Sequence, residues 1–206
     1  MTLVKVCGIC DGEAAREAAL AGADVLGFHF CDSRRRVTPE LARSIVEALP
    51  RRPAIVGVFI DAPEAEVAEV AEWVGLDSVQ LHGTEPPGFR APRPVIKALK
   101  VRDGQVAAGE LAAWPDPVLL DSWSDDKRGG TGRTWDWGAV WPALAGRRVI
   151  VAGGLSAENV GTVVGQLRPH GVDVSSGVES EVRVKDATLL RAFVQAVRDA
   201  DATPDL

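Results

Sequence analysis

Val118-Leu119-Leu120-Asp121 is an apolar run closed by a carboxylate, and residues 122–134 behind it form a polar segment carrying Gly129-Gly130-Thr131-Gly132. A short apolar stretch without alternation describes a strand covered on both faces, the habit of parallel sheets. Asp121 then stands at the C-terminal end of its strand. The pattern repeats along the chain, predicting strands over 3–7, 25–30, 54–60, 78–81, 95–99, 118–121, 148–152 and 172–175. Helical periods fill the gaps over 12–21, 39–49, 64–74, 135–144, 157–167 and 186–200, with a weak one over 104–112. Pro39 and Pro63 fall in first turns, where proline is tolerated, and Ser156 is an N-cap candidate. Thr84-Glu85-Pro86-Pro87 leaves only a short or irregular element between the fourth and fifth strands.

Eight such units fit either a doubly wound open sheet or a closed barrel. No Gly-x-Gly-x-x-Gly turn follows the first strand. Polar residues gather instead after successive strands, as the active face of a barrel demands. The expectation is an α/β chain forming one single-domain (β/α)8 TIM barrel over residues 1–206, with a frayed tail from about 201.

Composition excludes several other classes. The 206 residues are 46% hydrophobic and 25% charged, a globular balance rather than a disordered one. No apolar run approaches the ~18 residues of a membrane span. Met1-Thr2-Leu3-Val4-Lys5-Val6-Cys7 lacks the basic start and cleavage site of a signal peptide. A net charge of −6 argues against general nucleic-acid binding. Three cysteines, all within the first 31 residues, make no disulfide framework. These features predict a soluble, reduced, cytoplasmic protein with neither nucleic acid nor membrane as partner.

In such a barrel the loops after the strands converge on one pocket. Here they offer Cys7, Arg34-Arg35-Arg36, Asp61, His82, Lys97, Asp121, Gly153-Gly154 and Ser175-Ser176-Gly177. Cys7 reads either as a small buried hydrophobe or as an acid/base group. Cys10 makes it a C-x-x-C, but a zinc knuckle needs a second pair and a redox pair opens a helix in a different fold. Asp121 is a loop starter or a general acid whose pKa is raised by apolar surroundings. The long glycine-bearing loop behind it favours the acid and predicts a lid. Gly153-Gly154 and Ser175-Ser176-Gly177 follow the seventh and eighth strands, the phosphate site of such barrels. Arg34-Arg35-Arg36 is a solvated turn or an anion clamp, and His82 a structural histidine or a pocket donor. Trp114, Trp123, Trp135, Trp137 and Trp141 cluster and read mostly as packing residues.

Together these positions resemble the phosphoribosylanthranilate isomerase family. The likeness begins with Lys5-Val6-Cys7-Gly8-Ile9, Gly27-Phe28, Ser33 and Arg35, and Val56-Gly57-Val58-Phe59. It continues through Val79-Gln80-Leu81-His82-Gly83, Leu119-Leu120-Asp121, Gly129-Gly130-Thr131-Gly132, Trp135-Asp136-Trp137 and Ala152-Gly153-Gly154-Leu155. Asn159-Val160, Val172-Asp173-Val174-Ser175-Ser176-Gly177-Val178-Glu179 and Lys185-Asp186 complete it. The resemblance implies an Amadori rearrangement of N-(5-phosphoribosyl)anthranilate to 1-(2-carboxyphenylamino)-1-deoxyribulose 5-phosphate in tryptophan biosynthesis. On the matching positions, Asp121 is the general acid that opens the ribose ring and Cys7 the general base that takes the C2′ proton. Arg35 meets the anthranilate carboxylate with His82 nearby, and Gly153, Gly154, Ser175, Ser176 and Gly177 hold the phosphate. The implied partner is this phosphorylated small molecule, with no metal or organic cofactor, in a monomer or homodimer.

Lys5 lies two residues before Cys7 and so shares its strand face. Strand eight closes against strand one, so the substrate-side Asp173 is expected to pair with Lys5 beneath the thiol. Cys10, His29, Arg34 and Arg183 depart from the family pattern, His29 replacing an aliphatic residue. The rival readings are a histidine-pathway aminoaldose–ketose isomerase, which has aspartate at the Cys7 position, a metal-dependent epimerase, and a non-catalytic phosphosugar-binding barrel.

Overall fold

The structure is a computed structural model that describes residues 1–101, 105–106, 108–122, 141–144 and 146–203. The expected lid with its glycines, Trp123, Trp135, Trp137 and most of the helix expected over 135–144 lie outside the described residues. Eight parallel strands pair in chain order: β1 (Leu3–Cys7), β2 (Val25–His29), β3 (Ala54–Phe59), β4 (Ser78–Leu81), β5 (Val95–Val101), β6 (Val118–Ser122), β7 (Val149–Val151) and β8 (Gly171–Val174). β8 returns to β1 and closes the barrel, the fold class the sequence led us to expect.

The helices among the described residues are α1 (Gly12–Ala21), α2 (Pro39–Glu47), α3 (Glu64–Val74), α4 (Ala108–Ala113), α5 (Val160–Leu167) and α6 (Ala187–Ala202). Their ends follow local chemistry. Asp11 caps α1 by accepting from Ala14 N–H, Thr38 caps α2 ahead of Pro39, and Asp186 caps α6 through Thr188 and Leu189. The expected Ser156 cap is corrected: residues 156–159 form a turn, Asn159 Oδ1 accepts Ser156 N–H at 2.9 Å, and α5 starts only at Val160. α6 runs to Ala202, where Asp201 accepts from Thr2 N–H at 2.8 Å and Thr2 Oγ1 at 2.7 Å, and residues 204–206 of the expected tail lie outside the described residues. A small hairpin of β9 (Glu179–Glu181) and β10 (Val184–Lys185), not foreseen, follows β8.

Register decides which side chains enter the barrel, since parallel neighbours in register share a face. Lys5 stands beside Asp173, Cys7 beside Gly27, His29 beside Val58, Val58 beside Gln80, and Ala98 beside Leu119. Val56, Ile96, Ala98, Leu119, Ile150 and Ala152 pack together inside the barrel, with Val25 against them. This apolar floor carries the polar groups of the mouth. Leu119 is completely buried in it, so Leu119→Ala should cost about 2–5 kcal/mol. Urea unfolding of both proteins checks this; a loss well below that range would mean the floor collapses around the cavity.

Candidate active site

The first group of the mouth is built on β1, β2 and β8. Lys5 Nζ donates to Asp173 Oδ1 at 2.9 Å, with side chains only 2% and 10% exposed. The contact expected beneath the thiol is therefore present. Burial pulls the Lys5 ammonium down, but Asp173 and then Cys7 more than reverse it and hold its pKa above the ordinary lysine value. For the Cys7 thiol the balance differs: burial pushes it up, the Lys5 charge pulls it back, and Asp173 adds to the upward push. Its pKa stays above the ordinary cysteine value. Gly27 makes this crowding possible, because a Cβ there would press on Cys7 Sγ and Lys5 Nζ.

His29 Nε2 lies 3.2 Å from Cys7 Sγ, and His29 Nδ1 lies 2.9 Å from Ser33 Oγ. Burial, then the Lys5 charge, lowers the imidazole pKa to about 4. On β6, Asp121 Oδ2 lies 3.3 Å from His82 Nε2, and the Gln80 amide nitrogen lies 3.3 Å from His82 Nδ1. His82 thus belongs to the mouth, as a partner of Asp121. Lys100 on β5 is in register with Asp121.

The loops after β7 and β8 meet as expected. Gly153 and Gly154 have φ of 91° and 64°, in the left-handed region that favours glycine. A Cβ at Gly177 would collide with the Leu155 carbonyl oxygen, so only glycine lets the two loops touch. Asn159 Nδ2 donates to Gly154 O at 2.9 Å and fixes the first loop from behind. Ser175 Oγ is buried without a hydrogen-bond partner among the described residues.

Arg35 reaches the mouth across Gly8, whose hypothetical Cβ would strike the arginine stem. Its Nε and Nη2 donate to Glu179 Oε1 at 2.7 Å and Oε2 at 2.5 Å. Lys185 Nζ donates to the same Oε1 and to Ser175 O, each at 2.9 Å. Burial would raise the Glu179 pKa, but Arg35 and Lys185 outweigh it and hold the carboxyl below its ordinary value. The sequence reading had Glu179 and Lys185 only as motif positions; Ser33 and His29 were likewise not assigned to the site. A carboxylate between two cations is a signal that only the hairpin's return makes visible.

Other candidates fall away from the pocket. Lys97 is on the outer face of β5, where its Nζ donates to Gly83 O and Glu85 Oε2, both at 2.6 Å. Asp61, at φ 49°, accepts from Thr84 N–H and Oγ1 and stabilises a turn. Arg34 and Arg36 are exposed. Cys10 donates to the Gly8 and Arg35 carbonyls, and no cluster of three metal-ligating side chains occurs among the described residues.

A family model described as N-(5′-phosphoribosyl)anthranilate (PRA) isomerase matches residues 4–196. An N-(5′-phosphoribosyl)anthranilate isomerase of Pelobacter propionicus is 45% identical over 202 residues, covering 97% of each chain. Among solved structures, the phosphoribosyl anthranilate isomerase of Thermotoga maritima is 36% identical with a TM-score of 0.87, covering 97% of this chain and all of that one. A phosphoribosyl anthranilate isomerase in complex with reduced 1-(o-carboxyphenylamino)-1-deoxyribulose 5-phosphate is 34% identical with a TM-score of 0.83, at the same coverage.

The buried imidazole also has a consequence for acid stability. Folded His29 titrates at about 4, whereas an unfolded histidine takes its proton near ~6.5. Between those values the unfolded chain binds more protons, so this contribution is lost as pH falls through that window. Urea unfolding at pH 7 and 4.5 should show a smaller acid loss in His29→Val than in wild type. Equal losses would mean that His29 titrates normally.

Proposed function

The chain belongs to the N-(5′-phosphoribosyl)anthranilate isomerase family, an isomerase of tryptophan biosynthesis, and we propose that Asp121 and Cys7 are its general acid and base. One observation supports this most: Asp121 and Cys7 sit on inward-facing positions at the C-terminal ends of β6 and β1, above one shared apolar floor. Asp121 gives a proton to the ribose ring oxygen as the C1′–oxygen bond breaks, leaving a Schiff base. The Cys7 thiolate then takes the C2′ proton, and the released electron pair forms the C1′–C2′ double bond of an enolamine. Tautomerisation to the ketone moves the enol proton to C1′, so the reaction is an isomerisation with no external reductant.

Substrate capture rests on the rest of the mouth. Backbone N–H groups of Gly154, Ser176 and Gly177 hold the phosphate, with Gly153 shaping the loop and the buried Ser175 hydroxyl beside it. Arg35 spends Nε and Nη2 on Glu179, leaving Nη1 for the anthranilate carboxylate. His82 steadies Asp121. Asp173 acts on Lys5 and through it on the thiol, an indirect share in substrate handling. The described site is drawn from a single chain, compatible with action as monomer or homodimer, and three free cysteines suit the reducing cytoplasm.

The test is the decay of anthranilate fluorescence on substrate generated in situ. Cys7→Ala and Asp121→Asn should each lower turnover by ~10²-fold or more. An Asp121→Asn protein equal to wild type would remove the assigned acid. A wild type that binds phosphosugar without turnover would make the chain a binding protein instead. In Glu179→Gln, the loosened Arg35 and Lys185 should raise KM by roughly tenfold with a smaller change in kcat. An unchanged KM would show that Arg35 needs no such brace.

A further inference from the structure

We propose that His29, held by Ser33, is a positioning residue that donates its Nε2–H to the Cys7 thiolate. The proposal rests on Cys7 being the base. Its geometric basis is a three-member chain, from Ser33 Oγ to His29 Nδ1 at 2.9 Å and from His29 Nε2 to Cys7 Sγ at 3.2 Å. Its direction follows from the base form of Cys7: a thiolate can only accept, so a neutral imidazole facing it presents Nε2–H. The Arg35 N–H donates to Ser33 Oγ at 3.1 Å and occupies one of its lone pairs. Nδ1 is then an acceptor, so in this proposal the Ser33 hydroxyl gives its proton to Nδ1 while accepting the Arg35 N–H. A neutral imidazole that accepts at Nδ1 carries its proton on Nε2, the nitrogen facing sulfur.

The surroundings explain why such a donor is needed. Cys7 is only 5% exposed, and burial disfavours its thiolate. Lys5 hydrogen-bonds the sulfur but is shared with Asp173, and the charged groups around the sulfur further include Lys185 on β10. Lys5, Asp173, Arg35 and His82 also bear on His29, and Cys31 packs beside Cys7. Between Lys5 and Arg35 an imidazolium would be repelled; a neutral ring contributes a hydrogen bond without a second charge. A hydrogen bond to the charged form favours that form, so His29 lowers the cost of holding sulfur as thiolate.

The experiment follows Cys7 ionisation by thiolate ultraviolet absorbance against pH, as the difference between each protein and its Cys7→Ser counterpart, alongside kcat and KM. In His29→Val the thiolate midpoint should rise by about one pH unit and kcat at neutral pH should fall about tenfold, with KM nearly unchanged. His29→Gln, which returns an amide N–H towards sulfur, should restore most of both. Ser33→Ala should move the midpoint in the same direction by less. This half-buried loop position also keeps the test open if His29→Val does not fold. A folded His29→Val with an unmoved midpoint overturns the assignment, and so does a midpoint that falls, which would make His29 an acceptor of the S–H. A raised midpoint with a fully active Cys7→Ala would overturn the base reading and the positioning role with it, while leaving the hydrogen bond standing.

Discussion

The closing pair of strands, β8 against β1, brings Lys5 and Asp173 together in register, and the mouth of the barrel is organised around that contact. An ammonium exposed to only 2% of its surface cannot remain unpaired, since burying a lone charge costs several kcal/mol. A slip of one residue would turn Lys5 and Cys7 together to the helix side and bring Val4 and Val6 inward. The register is defended from outside as well. Asp24 accepts from Val4 N–H at 2.9 Å and from Arg198 at 2.9 Å, while Arg198 also donates to Thr2 O at 2.6 Å. The last helix thereby holds the first strand at the position that the interior ion pair requires.

A second carboxylate organises the other side of the mouth. Glu179 gathers Arg35 and Lys185, and Lys185 in turn holds the Ser175 carbonyl at the start of the loop after β8. Carboxylate, carbonyl and two cations thus tie the loop after β2 to the loop after β8. Within a chain of net charge −6, this cluster still sets two cations together at one edge of the mouth. The bidentate Glu179 contact also limits Arg35 to one presentation, the one on which its proposed meeting with the substrate carboxylate depends.

Much of this was legible in sequence because parallel strands buried on both faces are nearly pure apolar runs. The strands at 3–7 and 78–81 and the helix at 64–74 have the expected bounds. Misreadings arose where local signals competed. Ser156 and Asn159 are both good cap residues; Asn159 takes the position before α5 without a side-chain cap bond, its amide being spent on Ser156 N–H and Gly154 O. The β9–β10 hairpin has strands of three and two residues, too short to show a period. Lys97 looked like a strand-end residue, but β5 runs on to Val101 and the pleat turns it outward. The places of Asp121, Cys7 and the glycine-bearing loops after β7 and β8 at the mouth were legible because each follows or ends a strand. The contacts of His29 were not: one histidine gives no sign, in sequence, of which strand its ring will face.

The proposed acid and base occupy unlike environments although they share one floor. Cys7 is 5% exposed, with a buried cation and a neutral imidazole at hand; Asp121 is 33% exposed by its side chain and stands against His82. A base that must hold a negative charge needs donors arranged before substrate arrives, since water cannot supply them in a dry corner. An acid that must recover its proton each cycle needs a route to solvent instead. Inward-facing positions on two strands, one crowded beside glycine and one nearer water, provide both with the same pleat. The proposed division of labour is therefore set by how each strand end is packed, with substrate placement falling, on the same proposal, to the loops above.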